Sequence, residues 1–136
     1  GTKLPDSLPR EKLMTDDCWK SPRPAWPTAQ DYVEHFYELL GDKPEPTMAA
    51  KLMWEEWTEW TNESSPEEEL KELADLVYVI YGYALSRGWD LDHALYRVHA
   101  NNLGRMFQAD GTIKRRVDGK VIKNPDYPKV DLEDLV

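Results

Sequence analysis

Apolar residues recur at helical spacing in four successive stretches of this 136-residue chain. Thr28, with Asp31 three positions on, has the form of an N-cap, and behind it Tyr32, Val33, Phe36, Tyr37 and Leu40 share one face of a helix ending near Gly41. Asp42 to Pro46 reads as a turn, with Thr47 placed to cap a second helix over about Met48 to Asn62. On a wheel of ~100° per residue, Leu52, Glu55, Glu56 and Glu59 fall in one arc of that helix and Met53, Trp57 and Trp60 in the adjacent one. Packing the tryptophans would therefore set where the carboxylates point. Ser65-Pro66-Glu67-Glu68 opens a third helix, with Ser as cap, Pro at the first position and Glu three after the cap. It runs to about Arg87 before Gly88, and Leu70, Leu73, Ala74, Val77, Tyr81 and Ala84 form its apolar stripe. On the opposite side Glu72 and Asp75 stand beside Leu76 and Val79. A helix apolar nearly all round is buried on both sides, so these two acids are expected inside a bundle or a subunit interface.

A fourth helix, capped by Asp90 or Asp92, continues through Leu95, Val98, Asn102 and Met106. Residues 1–27 carry Pro5, Pro9, Pro22, Pro24 and Pro27 with little periodicity, which predicts an extended arm anchored by Trp19 and Trp26. After Gly111 the texture changes. Thr112 to Lys123 has β-branched and basic residues on either side of Asp118-Gly119, a two-residue hairpin signal, and the Pro- and Asp-rich tail from Asn124 to Val136 reads as extended. The expected fold class is thus all-α. About four helices form a bundle whose antiparallel helix hairpin carries acidic side chains, with a C-terminal β-hairpin and an N-terminal arm. The divisions are 1–27, 28–110 and 111–136, the last belonging to the same domain as the helices.

Charge narrows the function. With 26 acidic against 17 basic residues and a net charge of −9, the chain is not built to grip a nucleic-acid backbone, though it could take a triphosphate through a metal ion. Cys18 stands alone, so no internal disulfide, zinc knuckle or CxxC redox site can be assembled. No apolar run approaches the ~20 residues that span a bilayer, and no basic-then-apolar signal opens the chain, so no membrane partner is expected and the setting is cytoplasmic.

The candidate chemistry lies in two acidic pairs, Glu56 with Glu59 and Glu72 with Asp75. Three-residue spacing puts each pair on one helix face, and the short Asn62 to Ser65 connection folds the helices into an antiparallel hairpin that brings the pairs to similar heights. Taken alone, Glu55, Glu56 and Glu59 would suit a solvated face, as Glu67, Glu68 and Glu69 suit a first helical turn. The apolar neighbours of Glu72 and Asp75 argue otherwise. Carboxylates facing one another at ~6 Å repel by about 3 kcal/mol per pair at an effective dielectric of ~20, so something must neutralise them. All-oxygen ligation points to Mg²⁺ or Mn²⁺. Ca²⁺ is disfavoured because the EF-hand loop pattern is missing, and His35, His93 and His99 lack HExxH spacing.

Glu55-Glu56-Trp57-Thr58-Glu59, followed by Glu72-Leu73-Ala74-Asp75, resembles the EExxE and ExxD motifs of the MazG-like all-α nucleoside triphosphate pyrophosphohydrolases. The likeness continues through Asn102-Leu103-Gly104-Arg105, where Arg105 takes a Lys place. It extends through Gly119-Lys120-Val121-Ile122-Lys123-Asn124-Pro125-Asp126-Tyr127, similar to the GKxxKxPxY tail of small phage-type members. The resemblance implies cleavage of a (d)NTP between its α and β phosphates. Glu56, Glu59, Glu72 and Asp75 would be the metal ligands, and Glu55 a further ligand or a group positioning the water. It also implies phosphate contacts from Asn102, Arg105, Lys120 and Lys123, with Tyr127 against base or sugar. A homodimer or homotetramer is implied, in a host cytoplasm for a viral protein.

The triphosphate's remaining charge does call for Arg or Lys donors. An activated water would attack the α phosphorus in line, with Glu55 or Glu59 taking its proton. Trp26, Trp54 or Trp57 could stack on a base, although core packing is the more ordinary use of each. The phage-type likeness points to dGTP or dATP. The competing readings are a dUTP or dCTP hydrolase of the same superfamily and a non-catalytic helical module whose acidic face binds a basic partner.

Overall fold

The structure, a computed structural model, describes residues 27–136. The arm expected over 1–27, with Trp19 and Trp26, falls outside the described residues except for Pro27. Four helices follow: α1 (Ala29–Leu40), α2 (Pro46–Asn62), α3 (Pro66–Ser86) and α4 (Leu91–Arg105). Two short antiparallel strands, β1 (Lys114–Arg115) and β2 (Val121–Ile122), and a 3₁₀ turn at Glu133–Leu135 complete the chain. The fold is all-α with a C-terminal hairpin. None of the described helices is long and apolar enough to cross a membrane.

Local chemistry accounts for the helix ends. Thr28 and Asp31 form a reciprocal capping box, and Gly41 closes α1 at φ 80°, a left-handed conformation that glycine adopts without a Cβ penalty. Ser65 accepts the Glu68 N–H at 3.2 Å, and Pro66 fills the first position of α3, where its missing N–H costs nothing. The cap of α2 differs from expectation. Glu45, not Thr47, holds the position, its carboxylate accepting from the N–H groups of Thr47 and Met48 at 3.0 and 3.1 Å. Pro46 is the reason: preorganised for the first helical position, it moves the cap one residue upstream of itself. Those two N–H bonds hold the Glu45 carboxyl below its ordinary range.

The described residues divide into two compact units, one over 27–92 and one over 93–135. In the first, α3 is the central element, lying along α2 with extensive contact and more lightly against α1. Val33, Ala49, Tyr81 and Ala84 are its buried apolar side chains. A polar knot joins the starts of α1 and α4 to the C-terminal part of α3: the Asp92 carboxylate accepts from the hydroxyls of Thr28 and Tyr81, and its backbone N–H donates to buried Gln30 at 3.1 Å. Asp92 is therefore the second residue of α4, with its carboxylate turned to the neighbouring helices.

Much of the predicted apolar surface is left exposed among the described residues. Tyr32, Phe36 and Leu40 of α1, and Leu70, Leu73 and Val77 of the α3 stripe, remain exposed, and Leu39 and Leu70 are 77% and 69% accessible. The tryptophans do not form the expected packed arc either. Trp54 and Trp57 lie against each other at 5.4 Å between centroids and stay exposed, while Trp60 is half-buried.

In the second unit the hairpin turn is one residue longer than Asp118-Gly119 suggested. Lys114 pairs with Ile122 and Arg115 with Val121, and the Arg116 N–H donates to the Lys120 carbonyl, enclosing Val117-Asp118-Gly119 as a three-residue loop. Gly119 takes the left-handed position at φ 87°, as such loops require. Arg97 grips Asp134 through both terminal nitrogens at 2.6 and 2.9 Å, which ties the tail to α4 and holds the Asp134 carboxyl down at about 2. Tyr127 lies over Gly104, where any Cβ would collide with the hydroxyl end of its ring.

Gly104 sits in a helix, where alanine ordinarily gains about 0.5–1 kcal/mol over glycine. Here Gly104→Ala is expected to lower the melting temperature, and to raise it in a Tyr127→Ala background; thermal denaturation of the four proteins in that cycle measures the coupling.

Candidate metal centre

Glu56 and Glu59 lie one turn apart on α2, and Glu72 lies in the facing stretch of α3. The hairpin brings one carboxylate oxygen from each of the three within 4.8 Å of one another. Their burial differs: Glu59 is exposed, Glu56 half-buried, and the Glu72 side chain only 6% accessible. Glu56 Oε2 and Glu72 Oε2 are buried without a hydrogen-bond partner. Orphaned carboxylate oxygens of this kind are costly, and they are the donor type a hard cation takes. The residues present fit a hard divalent cation.

Electrostatics carry the mark of the crowding. The Glu56 carboxyl is pushed up to about 7, first by desolvation, then by the neighbouring Glu72 carboxylate and by the charges of Glu59 and Asp75. Asp75, the fourth expected ligand, is near enough to act on Glu56 but is not one of the three converging groups. Its Oδ2 is held 2.7 Å from the Lys71 ammonium, which also reaches Glu72 Oε1 at 3.2 Å. Those two contacts, Asp75 first, raise the Lys71 ammonium well above its ordinary range. Lys71 is the site residue that the acidic motifs did not reveal. Its signal was available in the four-residue step from Lys71 to Asp75 along α3. Glu55 is exposed and stands outside the cluster.

The basic candidates belong to the second unit. Asn102 and Arg105 occupy the last turn of α4; Arg105 is half-buried, and its Nε has no hydrogen-bond partner. The Arg105 carbonyl accepts the Asn124 N–H at 2.7 Å, tying the exit of β2 to the helix end. Lys120 and Lys123 are exposed on and after the hairpin loop. Tyr127 borders a groove of about 440 Å³ that Arg97, Asn101 and Val130 also line. Of the expected substrate contacts, Tyr127 alone lines that groove. The aromatic pair Trp54 and Trp57, stacked with 26° between ring planes, offers an open apolar surface on α2.

Residues 27–102 match the family model described as phosphoribosyl-ATP pyrophosphohydrolase. The matched span contains Glu55, Glu56, Glu59, Glu72, Asp75 and Asn102, and stops short of Arg105, the hairpin and Tyr127. A search of curated protein sequences gives no match.

Because its folded-state value lies above the ordinary 4.5, the Glu56 carboxyl favours the folded protein below about pH 4.5 and loses that contribution as pH rises through 7. The melting temperature of the metal-free protein is therefore expected to fall between pH 5 and pH 8, and Glu56→Gln to flatten that slope; calorimetric scans across the range measure both. A divalent ion at a hundred times its dissociation constant should add about 2.7 kcal/mol at pH 8.

Proposed function

Because this chain belongs to the phosphoribosyl-ATP pyrophosphohydrolase family, within the MazG-like all-α nucleoside triphosphate pyrophosphohydrolases, we propose that it hydrolyses a (d)NTP to the monophosphate and pyrophosphate with the help of Mg²⁺ or Mn²⁺. The observation that carries this reading is the convergence of Glu56, Glu59 and Glu72 within 4.8 Å, with two of their oxygens buried and unpartnered. An acidic module that merely bound a basic partner would gain nothing from burying carboxylates beside one another.

In this reading Glu56, Glu59, Glu72 and Asp75 hold the ion. When bound, it polarises the phosphoryl oxygens and offsets their charge. Water attacks the α phosphorus, the bond from that phosphorus to the bridging oxygen breaks, and pyrophosphate leaves. The water's proton passes to Glu55 or Glu59, whose carboxylates are exposed and therefore open to solvent and substrate. Arg105, Lys120 and Lys123 neutralise phosphate oxygens, Asn102 donates a hydrogen bond, and Tyr127 lies against base or sugar.

For the base we favour a purine deoxynucleotide, dGTP or dATP, in the control of nucleotide pools. The exposed Trp54 and Trp57 pair supports an aromatic contact with a purine. The family's name points to phosphoribosyl-ATP, another purine triphosphate that loses pyrophosphate, so that compound is the second candidate. The working form is a homodimer or homotetramer with the site between helices of neighbouring chains. Support comes from the apolar residues left open on α1, α2 and α3, among them Leu39, Trp54 and Leu70, which form more apolar surface than a lone domain ordinarily exposes.

Incubation with dGTP, dATP, dUTP, dCTP and phosphoribosyl-ATP plus Mg²⁺ or Mn²⁺ should give monophosphate and pyrophosphate, fastest with a purine. Release of orthophosphate and a diphosphate contradicts the point of cleavage, and failure with every compound contradicts the activity. Glu56→Ala and Asp75→Ala should each lower pyrophosphate release by roughly 100-fold or more. Leu70→Glu should shift sedimentation from oligomer to monomer.

A further inference from the structure

Lys71 projects from α3 one residue before Glu72 and one turn before Asp75. Its side chain is 61% accessible, yet its ammonium reaches inward to Glu72, whose side chain is nearly buried, and to Asp75 at 2.7 Å. A long flexible stem rooted in solvent with its charge delivered to an acidic cluster is an arrangement that can be reversed without unfolding anything. The ammonium also takes an oxygen of Glu72, one of the three carboxylates that converge, and one oxygen of Asp75, the fourth acid of the pair motif. A lysine and a divalent cation cannot share that space at low cost, because both are positive and both need the same oxygens.

We propose that Lys71 is an internal counter-cation that occupies the acidic hairpin before the metal does, and that divalent ion binding displaces its ammonium from Glu72 and Asp75 into solvent. This rests on the metal-site reading given above. Two consequences follow from the exchange. Lys71 holds the two helices together in the metal-free protein by neutralising acids on α3 that otherwise add to the repulsion from α2. It also weakens ion binding, because each ion bound must first break the lysine contacts. Asp75 then becomes a ligand only once Lys71 has left it, which accounts for its absence from the converging three.

The contrary arrangement is a lysine that stays on Asp75 and orients it while the ion binds. The two differ in the sign of one measurement. Direct Mn²⁺ titration of the full chain, reading free Mn²⁺ by electron paramagnetic resonance, is expected to show Lys71→Met binding at least ten times tighter than wild type. Lys71→Arg, which keeps the positive charge, should stay close to wild type. The metal-free melting temperature should fall in Lys71→Met. Equal or weaker Mn²⁺ binding by Lys71→Met overturns the proposal and leaves the metal site standing; no Mn²⁺ binding by wild type overturns both.

A second measurement needs no variant. Acylation of the Lys71 amine in the wild-type protein, followed by peptide mass spectrometry, is expected to proceed several times faster with saturating Mn²⁺ than without it. An unchanged or slower rate overturns the displacement.

Discussion

Two helices joined by a three-residue connection between Asn62 and Pro66 must lie side by side, and that constraint drives Glu56, Glu59 and Glu72 into one small volume. Their mutual repulsion is the term that the surrounding chemistry has to answer. Burial first, and the neighbouring carboxylates after it, push the Glu56 carboxyl up to about 7, so a proton there answers part of the repulsion, and Lys71 answers another part at Glu72 and Asp75. Neither is complete, since an oxygen of Glu56 and one of Glu72 stay buried and unpartnered. A doubly charged ion would satisfy all of these groups together, and the proposed release of pyrophosphate would use it.

The first unit is lean. Helix α3 serves α2 along one side and α1 along another, and among the described residues its Leu70, Leu73 and Val77 remain exposed. The unit's buried apolar side chains are Val33, Ala49, Tyr81 and Ala84, and the Tyr81 hydroxyl joins the polar knot of Gln30, Thr28 and Asp92. The apolar residues left open on all three helices agree with a fold completed by another copy of itself, as proposed above. Small domains gain most from such association, because their own surface is large relative to what they bury.

The second unit is put together differently. Its contacts are single and specific rather than extensive: Arg97 on Asp134, Asn101 on the Pro128 carbonyl, Asn124 on the end of α4, and Tyr127 over a helical glycine. The hairpin itself has only two paired residues per strand and carries Lys114, Arg115, Arg116, Lys120 and Lys123 in a chain that is otherwise acidic. Charge of this sign on an exposed loop suits phosphate contact, and the half-buried Arg105 adds a donor whose Nε is still unengaged.

The amino-acid order alone determined the helices and most of their ends, because capping, proline placement and left-handed glycine act within four residues: Thr28 with Asp31, Ser65 with Pro66, and Gly41 all do what local chemistry requires. It also determined which acids share a helix face, since that follows from the pitch. Even local rules competed where Pro46 took the cap from Thr47, and where the hairpin loop closed on three residues instead of two. Tertiary structure decided what no spacing can express. Which side of α3 would be covered depended on where α1 and α2 came to rest, so Leu70 stayed open while Glu72 was buried. Whether a lysine or solvent would meet Asp75 depended on the direction a long side chain took, and how closely Glu56 approached Glu72 depended on two helix axes rather than on one sequence interval.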